Sequence, residues 1–300
     1  MTNSTSAGPN SDDTRFYGYI PSLAATVIFT VLFFFSTIIH LGQSIRYKMW
    51  FLLLTAVAAG NFEVTGWAAR TYSHFHPDKL MPYLIQTVST INAPTPLVAA
   101  YFIILAEIIR RLGPCYSRLR PKMYSIVFLT ADIVALTVQG VGGAIAATAA
   151  GNNKDPTMGG RIMLGGIVFQ MIAITGYMIL AIEFIFRYLN DKPFQRPDNE
   201  PPTGNYYLDK KMKTMLLGTS FSSLAIYVRS VYRTIELTDG WNGRIITTEI
   251  YFNTMDGAMI VLAMYCLNVF HPGRLLGPFT SIEKAESVID DDLLKKKGYA

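Results

Sequence analysis

Hydrophobic residues in this chain fall neither at alternate positions nor on a single helical stripe. They come in near-continuous runs of about twenty, the length an α-helix needs to cross a bilayer. Seven such runs cover residues 20–41, 49–68, 84–109, 123–147, 162–186, 215–235 and 246–270. They predict an all-α polytopic membrane protein, a seven-transmembrane-helix bundle over residues 20–271, with an N-terminal tail (1–19) and a C-terminal tail (272–300). Span three carries Asn92-Ala93-Pro94-Thr95-Pro96. Each proline removes a backbone donor, so this helix is expected to kink or break and to turn carbonyls toward the bundle interior. Gly140, Gly142 and Gly143 in span four and Gly165-Gly166 in span five predict close helix approach. Residues 190–209, rich in Asn, Asp, Pro and Gly, predict a flexible cytosolic connection. No internal repeat is evident, which weakens a carrier built from duplicated halves.

Composition agrees with the runs. Of 300 residues 51% are hydrophobic and 16% charged, against roughly a quarter charged in soluble domains. The formal charge of +5 is unevenly spread. The odd-numbered connections and the C-terminal tail hold eighteen Lys and Arg, whereas the N-terminal tail and the even-numbered connections hold six. The positive-inside rule then predicts an outer N-terminus and a cytosolic C-terminus. Basic residues scattered at helix ends are a topological signal and give no nucleic-acid footprint. The polar first nineteen residues lack a basic leader, so no cleavable signal peptide is expected. Asn3-Ser4-Thr5 is a glycosylation acceptor on the predicted outer side. Cys115 and Cys266 imply no disulfide framework. The tail, with acids at 290–292 and lysines at 295–297, is expected to be a solvated segment whose lysines can approach headgroups.

The candidate chemistry lies inside the spans. Arg229 and Arg233 stand four apart on one face of span six. An arginine in hydrocarbon faces an acid or a wet cavity. Reckoned at 1.5 Å per residue, Glu63 lies about 20 Å into span two. Asp132, Gln139 and Gln170 fall near the middle of spans four and five, Asp256 at similar depth in span seven, and Glu249 at its outer rim. Each charge would cost roughly 2.5–3.5 kcal/mol facing lipid. They are therefore expected to converge, with Asn61, on a net-acidic cavity in the outer half of the bundle. Such a cavity suits an amphiphile with a cationic or hydroxyl-rich head, and it also suits a proton-coupled carrier. The plainer alternative is that Arg229–Asp256 or Arg233–Glu63 are ion pairs that only fix helix packing. Glu107 and Glu183, near the inner ends of spans three and five, are expected to meet the basic inner rim.

Several classes are disfavoured. The chain has no phosphate-binding Walker loop, no lysine in span seven for a retinal Schiff base, and no set of converging membrane histidines for a zinc hydrolase. His40 and His271 sit at inner helix ends, and His74 and His76 in an outer loop. No catalytic residue, metal site or resident cofactor is expected.

Motifs in chain order carry a resemblance. They are Tyr17-Gly18-Tyr19-Ile20-Pro21, Glu63 with Gly66 and Arg70, Asn92-Ala93-Pro94 with Ala99-Ala100-Tyr101, and Asp132 with Gln139 to Gly143. Gly166 with Gln170, Arg229 and Arg233 with Glu236, and Glu249 with Asp256 before His271-Pro272 complete the set. Over residues 16–275 the chain resembles fungal lipid-translocating exporters of the aminocholesterol-resistance type. The resemblance implies a fungal plasma-membrane protein that translocates or exports lipids or other amphiphiles and confers resistance. Sphingoid long-chain bases, sterol-like molecules and toxic amphiphiles are the substrates it implies. It keeps two alternatives open: a seven-helix receptor-like lipid sensor, motivated by the basic connections 110–122 and 187–213, and a porphyrin or haem transporter, for which His40 and His271 are the embedded ligands. Membrane lipids or amphiphilic small molecules are the expected partners; nucleic acid is not, and protein partners are left undetermined.

Overall fold

The computed structural model describes residues 17–152, 154–194, 209–240 and 243–277. The Asn3 acceptor, residues 195–208 of the predicted connection, and the tail from 278 lie outside the described residues. Helix follows each of the seven hydrophobic runs, and there is no strand among the described residues. Rod one is α1 (Leu23–Arg46); rod two opens in a π-helical turn (Leu53–Val57) and continues as α2 (Ala58–Phe75). Rod three is α3 (Leu80–Asn92) followed by α4 (Pro94–Leu112). After a 3₁₀ turn (Pro114–Tyr116) come α5 (Pro121–Gly151), α6 (Thr157–Leu189) and α7 (Lys210–Asp239). Rod seven comprises α8 (Glu249–Tyr251), a second π turn (Phe252–Gly257) and α9 (Ala258–Val269); a short α10 (Pro272–Leu275) closes the described chain.

Five rods are long and apolar enough to cross a membrane: rods one, three, four, five and seven. Rods two and six fall short. They carry the polar load of the bundle, Glu63 and Arg70 on α2 and Arg229, Arg233 and Glu236 on α7, all of it buried. Rod three is the central post: 72% of its most apolar stretch is buried, against 28% in rods one, four and five. Those outer rods turn Phe34, Phe35, Ile38, Ile126, Ile133, Ile172 and Ile179 outward, a surface made for lipid tails.

Two local features position the site. Rod three breaks at Ala93, as its prolines predict. Pro94 has no N–H, so the carbonyl four residues earlier, on Thr90, is left for another donor. In rod seven the π turn inserts extra residues per turn and re-aims one face, a device frequent at functional sites; Asp256 lies within it. Rods four and five meet backbone to backbone. A Cβ on Gly142 would stand 2.4 Å from the Met163 nitrogen, and one on Gly159 2.3 Å from the Ala146 nitrogen. Gly166 is similarly closed in by the Ala135 carbonyl oxygen at 2.9 Å, while Gly140 and Gly165 face open space. The small-residue seam is real, but only some of its glycines are in it.

Candidate functional site

The two arginines of α7 meet one carboxylate. Asp256, with no exposed surface, takes Arg233 Nε at 2.9 Å on Oδ1 and Arg233 Nη2 at 3.1 Å on Oδ2. Arg229 Nε stands 2.8 Å from the same Oδ1, an ion pair whose N–H is not aligned for a hydrogen bond. Arg229 instead donates from Nη2 to the Thr90 carbonyl at 2.7 Å, the oxygen that Pro94 leaves without its helical partner. Arg233 also donates to Glu236 Oε2 at 2.7 Å and to Thr90 Oγ1 at 3.2 Å, and its guanidinium lies 5.1 Å from the Phe252 ring. Tyr232 donates to the other Glu236 oxygen at 2.8 Å. Glu63 joins the edge of this network without an ion pair among the described residues. Its Oε2 accepts from Trp67 Nε1 at 3.2 Å, and its Oε1 has no partner.

Asp132, Gln139 and Gln170 form a second network. Gln139 Nε2 donates to Gln170 Oε1 at 3.0 Å, and Gln170 Nε2 donates to Thr95 Oγ1 at 3.1 Å. The Gln170 amide also meets the Asp132 carboxyl, whose Oδ2 is buried without a partner. Between the two networks lies a cavity of about 10 Å³ lined by Gln139, Gln170, Arg229 and Arg233 with Ile91, Ile167, Met171 and Ser230. That holds about one water. Of the expected residues, Glu63, Arg229, Arg233 and Asp256 fall in the first network and Asp132, Gln139 and Gln170 in the second, with Glu63 Oε1 and Asp132 Oδ2 left unpartnered.

Glu249 belongs to neither network. At the start of rod seven its Oε1 accepts from the Ser22 N–H at 2.8 Å and from Arg70 Nη2 at 3.4 Å. Arg70, only 1% exposed, lies among the rings of Tyr17, Tyr19, Trp67 and Phe252, the nearest at 4.6 Å, and donates to Tyr19 Oη at 2.7 Å. Burial pushes the Tyr17 hydroxyl up to about 12. The sequence places Arg70 in an outer loop, but it is a core residue two turns beyond Glu63 on the same helix face. Arg70→Gln is expected to destabilise the protein by about 2 kcal/mol through lost cation–π contacts alone, read as a fall in the thermal midpoint in detergent. Arg70→Lys should restore only part, because the ammonium cannot stack.

Other expectations resolve plainly. Asn61 is exposed, two residues and therefore about 200° around α2 from Glu63. Glu107 binds Arg110 and Arg111, and Glu183 binds Arg118 and Arg187, so both acids pair with basic residues at their helix ends. His40 and His271 are buried; one contacts the Met264 carbonyl and the other accepts from the Gly273 N–H. Glu236 is the participant whose role was missed, although its i, i+3 spacing from Arg233 was a usable signal. A groove of about 490 Å³ was not foreseen at all. Val228, Val231, Tyr232, Ile235, Arg244, Ile245, Tyr251 and Met255 line it, between α7 and the start of rod seven.

Seven helical rods, five of them able to cross a bilayer, around a buried ion network define an integral membrane protein of the helical-bundle class. Residues 56–278 match the family described as "RTA1 like protein", and the chain belongs to that family. Its relatives include "Sphingoid long-chain base transporter RSB1" of Saccharomyces cerevisiae (strain ATCC 204508 / S288c), 28% identical over 92% of this chain and 78% of that protein. "Protein RTM1" of Saccharomyces cerevisiae is 27% identical over 75% of this chain and 68% of its own length. "Protein RTA1" of strain ATCC 204508 / S288c is 26% identical over 87% and 86%. No solved structure is significantly similar.

Proposed function

We propose that this protein translocates single-chain amphiphiles with a cationic, hydroxyl-bearing head, of which sphingoid long-chain bases are the type. In this reading all seven rods cross a fungal plasma membrane, with the N-terminus outside and the C-terminus in the cytosol. One observation carries the proposal: an open, largely apolar groove is separated from an acid-rich buried network by one side chain. Tyr232 lines the groove and donates to Glu236, which pairs with Arg233 and so reaches Asp256. The chain of an amphiphile lies along Val228, Val231, Ile235 and Met255. Its amino head takes the place of Tyr232 at Glu236 and then competes with the arginines for Asp256. Asp132, Gln139 and Gln170 offer hydroxyl partners one water away. The transport of sphingoid long-chain bases for which the relative RSB1 is named supports the substrate class.

The test is purified protein in phosphatidylcholine vesicles with a fluorescent long-chain amine, its movement between leaflets read by quenching from outside. The wild type is expected to move it. Val231→Trp with Met255→Trp, which fills the groove, should slow movement by on the order of tenfold while leaving the thermal midpoint nearly unchanged. Binding of the amine without movement would replace translocation by a receptor-like sensor. The inner-rim arginines argue for transport here, since Arg110, Arg111, Arg118 and Arg187 are engaged with Glu107 and Glu183.

A further inference from the structure

The buried acids outnumber the buried arginines beside them. Glu63, Asp132, Glu236 and Asp256 share the interior with Arg229 and Arg233. Asp256 pairs with both arginines and Glu236 with Arg233, which leaves Glu63 and Asp132 without a counter-ion in contact. An ionised carboxylate in an apolar interior without a partner is far costlier than its neutral acid. An ionised Glu63, fully buried with Oε1 unpartnered, would bear that cost in this arrangement.

Its surroundings make a proton there exchangeable. The charged groups acting on Glu63 are Asp256 in the π turn of rod seven and Arg229 and Arg233 on α7. Of the other helices packed on α2, α3 has no charged residue, α1 has only His40 and Arg46 in its last two turns, and α4 has Glu107, Arg110 and Arg111 near its inner end. The two arginines are not held alike. Arg233 is fixed by two aligned hydrogen bonds to Asp256 and one to Glu236, whereas Arg229 is tied by one aligned bond to the Thr90 carbonyl and makes only a misaligned approach to Asp256. An ionised Glu63 would compete for Arg229 more readily than for Arg233, whose two aligned bonds to Asp256 it would have to break.

We propose that Glu63 is a proton-binding site and that Arg229 moves between Asp256 and Glu63 as the proton arrives and leaves. This rests on the amphiphile reading above and gives it an energy source. Loss of the proton draws Arg229 to Glu63 and leaves Asp256 with one cation, open to the amino head; return of the proton sends Arg229 back and expels the head. One proton is exchanged for one cationic amphiphile.

The experiment uses the full-length protein in phosphatidylcholine vesicles, with infrared difference spectra and fluorescent-amine movement measured on the same preparation. At neutral pH the wild type is expected to show protonated-carboxyl C=O absorption with one component that Glu63→Gln loses and Asp132→Asn keeps. Glu63→Asp, which can still titrate, should retain the band at a shifted frequency. An imposed pH difference should speed amine movement severalfold in the wild type and leave Glu63→Gln indifferent. An undiminished band in Glu63→Gln, or a response to the pH difference equal to the wild type's, overturns the proposal. If the wild type moves no amine, the amphiphile reading falls, and the infrared comparison alone still upholds or removes the proton site.

Discussion

Asp256→Asn is expected to produce the largest loss of stability of any single polar substitution in this protein, about 3–5 kcal/mol. Asp256 is the one carboxylate that both α7 arginines share. An amide of nearly the same shape cannot neutralise them, and two guanidinium groups would then stand in the interior with Glu236 as their only ionised contact. Removing one partner from a buried pair costs more than the pair contributes, because the orphaned charge stays behind. The thermal midpoint in detergent reports the loss directly. A double substitution, Asp256→Asn with Arg229→Gln, should recover part of it by removing the surplus charge. If Asp256→Asn alone unfolds no earlier than the wild type, the ion network is not what holds α7 to rod seven.

Gly159→Val should separate α5 from α6. A Cβ at residue 159 would meet the Ala146 backbone nitrogen at 2.3 Å and the Gly142 carbonyl oxygen at 2.6 Å. Backbone cannot give way as a flexible side chain can, so the helices must part. Overpacking of this kind costs about 1–3 kcal/mol in ordinary cores, and the effect here should lie at or above that range because both contacts are main-chain atoms. Parting α5 from α6 also pulls Gln139 from Gln170, whose amides are 3.0 Å apart. Gly165→Val is the matched control: nothing lies within 4 Å of its Cβ position, and it should unfold like the wild type. A cysteine pair placed across the α5–α6 seam measures the separation.

These two expectations show what the linear chain could and could not reveal. Seven runs of apolar residues located seven helical rods, since run length against bilayer thickness needs no tertiary information. The helices nevertheless extend past the runs, with α7 beginning at Lys210 and α6 reaching Leu189, because nothing in the polar flanks stops them. Pro94 announced the break in rod three, but not that the released Thr90 carbonyl would serve Arg229. Gly140, Gly142 and Gly143 looked equivalent; rotation about the axis put only Gly142 of the three against the α6 backbone. Arg70 read as a loop cation and proved to be enclosed by four aromatic rings contributed from three parts of the chain.

Composition and periodicity alone therefore determined the helical membrane class, the number of rods, the shared face of Arg229 and Arg233, and the acids available to meet them. The partners were decided only by packing. Helical spacing defines which residues share a face, but the rotation and depth of each neighbouring helix, including the π turn that re-aims Asp256, decide what that face meets. Tertiary contact alone set Arg229 and Arg233 against Asp256, with space for about one water between them and the glutamines. It left Glu63 with a bare buried oxygen and opened the apolar groove beside Tyr232, because those outcomes depend on which charges neutralise one another across helices distant in sequence.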